Sequence, residues 1–127
     1  MNKAIMTENA PGAIGPYSQA VLADGTLYIS GQLPVDPATG EFVPGGIGDL
    51  TKASLNNIRA ILEKAGMSMA DVVKTTVFLK DMNDFAEMNA AYALFFSEPY
   101  PARAAVQVAK LPRDARVEIE AIAVRRP

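Results

Sequence analysis

The alternation of apolar and polar positions divides the chain into strand-like and helix-like stretches with clear punctuation between them. Tyr17 to Ala23 and Leu27 to Gly31 flank Asp24-Gly25, a two-residue signal for a hairpin turn. From Asp49, Ile58, Ile61, Leu62 and Ala65 recur at helical spacing, and Gly66 stands at the C-terminal cap position. Ser68 to Asp71 is a turn. Val72 to Lys80 then alternates, which places Val73, Thr75, Val77 and Leu79 on one side of a strand. Asn83 can cap a second helix with Phe85, Met88, Tyr92, Phe95 and Phe96 on its buried face, and Pro99 and Pro101 stop it. Two more strands follow, Arg103 to Val108 and Ala115 to Val124, joined by a loop through Leu111-Pro112-Arg113-Asp114. The order ββ-α-β-α-ββ predicts an α+β domain with two helices on one face of a mixed sheet, each helix crossing between strands.

Side-chain parity then bears on assembly. On the last strand Val117, Ile119, Ala121 and Ala123 point one way, toward the helices. Glu118, Glu120, Ile122 and Val124 point the other way, onto a face with no third helix to cover it, so that face is expected to meet a partner. If Val106 and Val108 pack on the helices, Arg103 and Glu118 both lie on this uncovered face.

At 127 residues the chain is expected to form one domain over 1–127. The 12 Lys and Arg residues against 14 Asp and Glu give a net charge of −2, with the basic residues scattered, which argues against nucleic acid as a partner. No Cys is present, so neither disulfides nor thiolate chemistry enter, and the absence of His removes the commonest general base and metal ligand. The opening Met1 to Glu8 lacks a signal core and no apolar run is long enough for a membrane, so a cytoplasmic protein is expected.

The candidate chemistry sits in Pro101-Ala102-Arg103-Ala104-Ala105-Val106-Gln107-Val108 and the later Val117-Glu118-Ile119-Glu120. Arg103 is the only charge before Lys110, flanked by small residues behind a Pro of fixed φ. Its planar fork suits a bidentate carboxylate, although a lone strand Arg more often snorkels to water.

Pro101-Ala102-Arg103, followed by Val106, Ala109, Leu111 and Val117-Glu118-Ile119, resembles the signature of the RidA (YjgF) family of imine and enamine deaminases. Gly15-Pro16-Tyr17-Ser18-Gln19, Ser30-Gly31-Gln32-Leu33-Pro34 and Asn83-Asp84-Phe85 with Asn89 extend the resemblance over nearly the whole chain. It implies a chorismate-mutase-like fold and a homotrimer with a barrel-like core and sites between subunits. It also implies hydrolysis of 2-imino acids, derived from 2-aminoacrylate or 2-aminocrotonate, to 2-keto acids and ammonia, without metal or cofactor. Such intermediates leave pyridoxal-phosphate enzymes, which the activity would protect. Carried over by position, Arg103 would bind the substrate carboxylate and Glu118 would hold the attacking water. Tyr17, Ser30, Gly31 and Asn89 would line the pocket, and Ala105, where relatives often carry Cys, would contribute its backbone carbonyl. Two other classes stay open: a ribonuclease or translation inhibitor, and a non-catalytic trimer that binds small carboxylates.

Overall fold

The computed structural model describes residues Met1–Pro127. In chain order the elements are β1 (Lys3–Ile5), β2 (Ala20–Ala23), β3 (Thr26–Gln32), α1 (Ile47–Lys64), β4 (Val72–Leu79), α2 (Phe85–Tyr92), β5 (Ala102–Gln107) and β6 (Val117–Val124). The Asp24-Gly25 signal produces its hairpin: both residues take positive φ, 48° and 84°, as a primed turn requires, and Ala23 pairs with Thr26. The short apolar opening, to which the pattern assigned no element, becomes the edge strand β1 on β2.

The six strands form one sheet in the order β1-β2-β3-β6-β4-β5. β6 runs antiparallel to both β3 and β4, and β5 is parallel to β4. Strands running the same way need a crossover, and the two helices supply it: α1 leads from β3 to β4, with β6 inserted between them, and α2 from β4 to its parallel partner β5. This is the α+β arrangement expected, two helices on one face of a mixed sheet. No helix is long and apolar enough to cross a membrane.

α1 begins at Ile47, two residues before Asp49, whose side chain accepts the backbone N–H of Gly46 at 3.2 Å. It ends where predicted. Gly66 takes φ 75°, its N–H reaches the Glu63 carbonyl at 3.0 Å, and the Met67 N–H reaches Leu62 at 2.9 Å. Leu55, Ile58, Ile61 and Leu62 of α1 are fully buried and pack with Val77, Leu79, Val117 and Ile119 in one core of 22 buried residues.

Three details differ from expectation. Val73 is 47% exposed rather than on the core side with Thr75 and Val77, because the β4–β6 register shifts between Val72 and Lys74. Asn83 does not cap the second helix: it lies inside a short 3-10 turn, Met82–Asp84, whose N-terminus Asp81 caps by accepting the Asn83 N–H at 2.9 Å. The helix α2 follows with Asp84 at its start and no side-chain cap. α2 also stops at Tyr92, leaving Phe95 and Phe96 half-buried in the turn beyond it.

β6 alternates as its parity predicts, with Val117, Ile119, Ala121 and Ala123 buried. Across the ladder Glu118 opposes Phe78 and Phe78 opposes Val106, while Ile122 opposes Tyr28. Directly opposed residues share a face, so these side chains lie together on the side of the sheet that carries no helix.

Candidate functional site: two half-sites on one sheet

Arg103 sits on β5 in register with Thr75 of β4, and Ala105 with Val77. Thr75 and Val77 are buried under the helices, so Arg103 and Ala105 lie on the helix-covered face. The expectation that Arg103 shares the open face with Glu118 is therefore wrong. It rested on Val106 packing inward, whereas Val106 is 42% exposed on the open face. β5 is the edge of the sheet beyond the helices' main cover, so an outward valine there costs little.

The placement gives Arg103 a defined seat against α2. Its Nη1 donates to Asn89 Oδ1 at 2.6 Å. The guanidinium lies 4.8 Å from the centre of the Tyr92 ring and 5.6 Å from that of Phe85. Tyr92 shares a 2.7 Å hydrogen bond with Thr75 Oγ1. Burial raises the Tyr92 phenol above its usual pKa, with the Thr75 bond and the Arg103 charge pulling it partly back, so the hydroxyl keeps its proton at neutral pH. The four ion pairs of the chain join Lys80 to Asp114, Arg113 to Glu41, Arg116 to Asp84 and Arg126 to Asp71. Arg103 is in none of them. A half-buried guanidinium with one neutral partner and most of its donors free has the donors and charge to receive an anion.

The second half-site is a cavity of about 630 Å³ at the β3–β6 end, lined by Tyr17, Ser30, Gly31 and Glu118 together with the 11–14 loop, Val35 and Arg113. The register of β3 on β6 breaks between Ile29 and Gln32, and the Glu118 carboxyl lies over Gly31 in that break. A Cβ at Gly31 would stand 2.8 Å from Glu118 Cδ and Oε2. The φ of Gly31 is not positive, so space rather than backbone conformation demands the glycine. Burial, and then the like charge of Glu120, raise the Glu118 carboxyl above the ordinary Glu range. The carboxyl has no ion-pair or hydrogen-bond partner in the chain, a fit for a group that handles water or a proton. Ser30 Oγ donates to the Ser18 carbonyl at 2.6 Å, which spends its proton on the fold and leaves its lone pairs to the cavity. Tyr17 is 53% exposed at the mouth, its hydroxyl accepting the Ile14 N–H at 3.4 Å.

The seven predicted residues thus fall into two groups: Arg103, Ala105 and Asn89 on one face, and Tyr17, Ser30, Gly31 and Glu118 on the other. β4 stands between the strands that carry Arg103 and Glu118. Several supporting residues went unread in the sequence. Buried Gln19 accepts the Thr7 N–H at 2.8 Å and donates to the carbonyls of Thr7, Ala10 and Pro11 at 3.1, 3.3 and 2.7 Å, which pins the loop that walls the cavity. Arg113 takes φ 57° and ties that rim to the opposite loop, donating to the Gly40 carbonyl at 3.1 Å and covering the Phe42 ring at 4.7 Å from its centre. Gln19 carries no local sequence signal beyond its presence in a matching stretch, and Arg113 none beyond its place in the loop after Leu111.

Residues 7–125 match the family described as Endoribonuclease L-PSP. A RutC family protein of Pyrococcus horikoshii is 59% identical over 125 residues, covering 98% of this chain and 99% of that protein. The 2-iminobutanoate/2-iminopropanoate deaminase of Bos taurus is 57% identical over 127 residues, 100% of this chain and 93% of the relative. Among solved structures, E. coli TdcF with bound serine superimposes with a TM-score of 0.92 at 51% identity, covering 98% of this chain and 99% of that one.

Proposed function

The chain belongs to the Endoribonuclease L-PSP family, that of YjgF and RidA, and from that membership and the two half-sites we propose that it hydrolyses 2-imino acids to 2-keto acids and ammonia. The single observation that carries the reading is Arg103: half-buried, clamped by Asn89, stacked on aromatic rings and free of any acidic partner. The 2-iminobutanoate/2-iminopropanoate deaminase relatives act on substrates that carry a carboxylate next to the reacting carbon, and the related TdcF binds serine, another small carboxylate.

Water adds to C2 of the imine as Glu118 accepts its proton. The same carboxyl then returns that proton to the nitrogen. As the C–N bond breaks and ammonia leaves, the carboxyl takes the hydroxyl proton, so that the C2–O bond becomes a carbonyl and the proton departs with ammonia as ammonium. A protonated imine is already electrophilic, so orientation and one proton carrier suffice. A carboxyl with a raised pKa suits both steps better than an ordinary Glu. The substrates are the imines of 2-aminoacrylate and 2-aminocrotonate, reactive species released by pyridoxal-phosphate enzymes, and the protein needs no cofactor.

Arg103 and Glu118 lie on opposite faces with a strand between them, so one small substrate cannot touch both in one chain. The reading therefore includes a homotrimer in which Arg103, Asn89 and Ala105 of one copy close over Tyr17, Ser30, Gly31 and Glu118 of the next. The open sheet face with Tyr28, Phe78, Val106 and Ile122 would be the buried centre. The whole chain, 1–127, acts as one domain, in the cytoplasm, with neither nucleic acid nor membrane as a partner. The sequence pI of about 5.1 speaks against the ribonuclease in the family's description.

The test is to generate 2-iminobutanoate from threonine with a dehydratase and follow keto-acid release against semicarbazide as a competing trap. Wild-type protein is expected to divert the imine from the trap, and Arg103→Ala is not. Equal trapping with and without wild-type protein would overturn the assignment.

A further inference from the structure

The seat of Arg103 is more closely determined than a carboxylate grip alone explains. Phe85, Asn89 and Tyr92 stand at i, i+4 and i+7 on α2, one stripe of the helix, and all three meet the guanidinium. Asn89 takes one N–H and so fixes a rotation, but it leaves the tilt of the fork open. The Tyr92 ring beneath the guanidinium limits that tilt. Its own place is set by the 2.7 Å bond to Thr75, the β4 residue that pairs with Arg103 in the sheet. Backbone ladder, Thr75, phenol and guanidinium thus form a closed ring of contacts around one buried hydroxyl, in a tyrosine only 6% exposed.

We propose that Tyr92, locked through its hydroxyl to Thr75, is the positioning residue that sets the place and angle of the Arg103 guanidinium and so governs how tightly the substrate carboxylate is held. The inference rests on the carboxylate reading of Arg103. An arginine side chain surrenders considerable rotamer freedom when it binds, and a ring fixed in advance leaves less of it to lose. The opposing account is that the Thr75–Tyr92 bond only fastens α2 to the sheet.

Two variants separate these accounts. Tyr92→Phe keeps the ring and frees it from its anchor, leaving Thr75 Oγ1 buried without a partner. Thr75→Val with Tyr92→Phe removes both polar partners, which restores most of the lost stability because no unsatisfied group remains. Positioning predicts that Tyr92→Phe raises KM about fivefold with kcat within about twofold, and weakens binding of 2-oxobutanoate by a similar factor. It predicts that the double variant regains its melting temperature and keeps the KM defect. Wild-type KM and 2-oxobutanoate affinity in Tyr92→Phe would overturn the proposal, as would a KM defect that disappears in the double variant. Arg103→Ala supplies the reference. If it binds 2-oxobutanoate as tightly as wild type, the carboxylate reading fails. If it loses binding while Tyr92→Phe retains it, the positioning role alone fails.

Discussion

Replacing Gly31 by Ala puts a methyl group where the Glu118 carboxylate lies. The added Cβ would be 2.8 Å from Cδ and Oε2, and ordinary contact begins near 3.4 Å. The carboxyl must therefore retreat by about 0.6 Å, since the repulsive wall at the shorter distance is steep. The obstacle is the far end of a flexible side chain, so the retreat is a rotation of Glu118 rather than a distortion of the sheet. Overpacking of this kind costs about 1 kcal/mol, the low end of its usual range. Catalysis responds differently, because displacing a reacting group by close to an ångström costs roughly 10²-fold in rate. Gly31→Ala is thus expected to lower its urea midpoint by only about 0.5 M while keto-acid release in the trap assay falls at least tenfold. Adding Glu118→Asp shortens the acid by one methylene, clears the methyl and should recover part of the lost turnover. Full activity in Gly31→Ala would refute the reasoning, for it would mean that the carboxyl over Gly31 is not where the water is handled.

Glu118→Gln is expected to lose turnover and gain stability together. The folded-state pKa is raised, so the ionised carboxyl opposes folding: its contribution is favourable at acid pH and is lost as pH rises through the folded value. The Gln variant should therefore exceed wild type in urea resistance at neutral pH, with the gap closing toward acid. Glu120→Gln removes a like charge and should shift the acid limb of the kcat profile downward with much milder loss of turnover; if it proves the damaging change and Glu118→Gln the silent one, the proton carrier is Glu120. Arg103→Lys should rescue Arg103→Ala poorly in the trap assay, because a point charge reproduces neither the fork nor the stacking on Tyr92, and full rescue would count against bidentate binding. Light scattering across a dilution series should give three times the 13.5 kDa chain mass, and a monomer or dimer would contradict the shared site.

Much of this architecture was legible because the signals were local. Val117-Glu118-Ile119-Glu120 alternates apolar with acidic and so fixes the parity of the strand through Val124, and every odd position is buried. Asp24-Gly25 and Gly66 each demand a backbone conformation that marks a turn or a helix end. Ala102-Arg103-Ala104-Ala105-Val106-Gln107 offers no such contrast. Small residues on both sides carry little transfer free energy, so one valine was made to decide the parity, and at a sheet edge it turned outward. The bulge at Val73 was missed for a related reason, since it depends on how β6 sits opposite, whereas the Asp81 cap is local and belongs to a short turn before α2 that the apolar pattern does not separate from the helix. Arg103 and Glu118 were singled out as individual candidates through the matching stretches, yet their separation onto two faces depends on register, which no single strand contains. Gln19 is the extreme case, an amide whose partners lie 8 to 12 residues away along an irregular loop.

The division of Arg103 and Glu118 between two faces has a consequence for heredity as well as chemistry. On the composite site proposed above, a chain lacking Arg103 still offers a sound Glu118 to its neighbour, and a chain lacking Glu118 still offers a sound Arg103. Two inactive alleles expressed together would then complement one another within mixed assemblies. At equal expression and random mixing, about a quarter of the sites would draw each intact residue from the right neighbour. A protein whose catalytic pair lay within one chain could show no such recovery, whatever the ratio of the two.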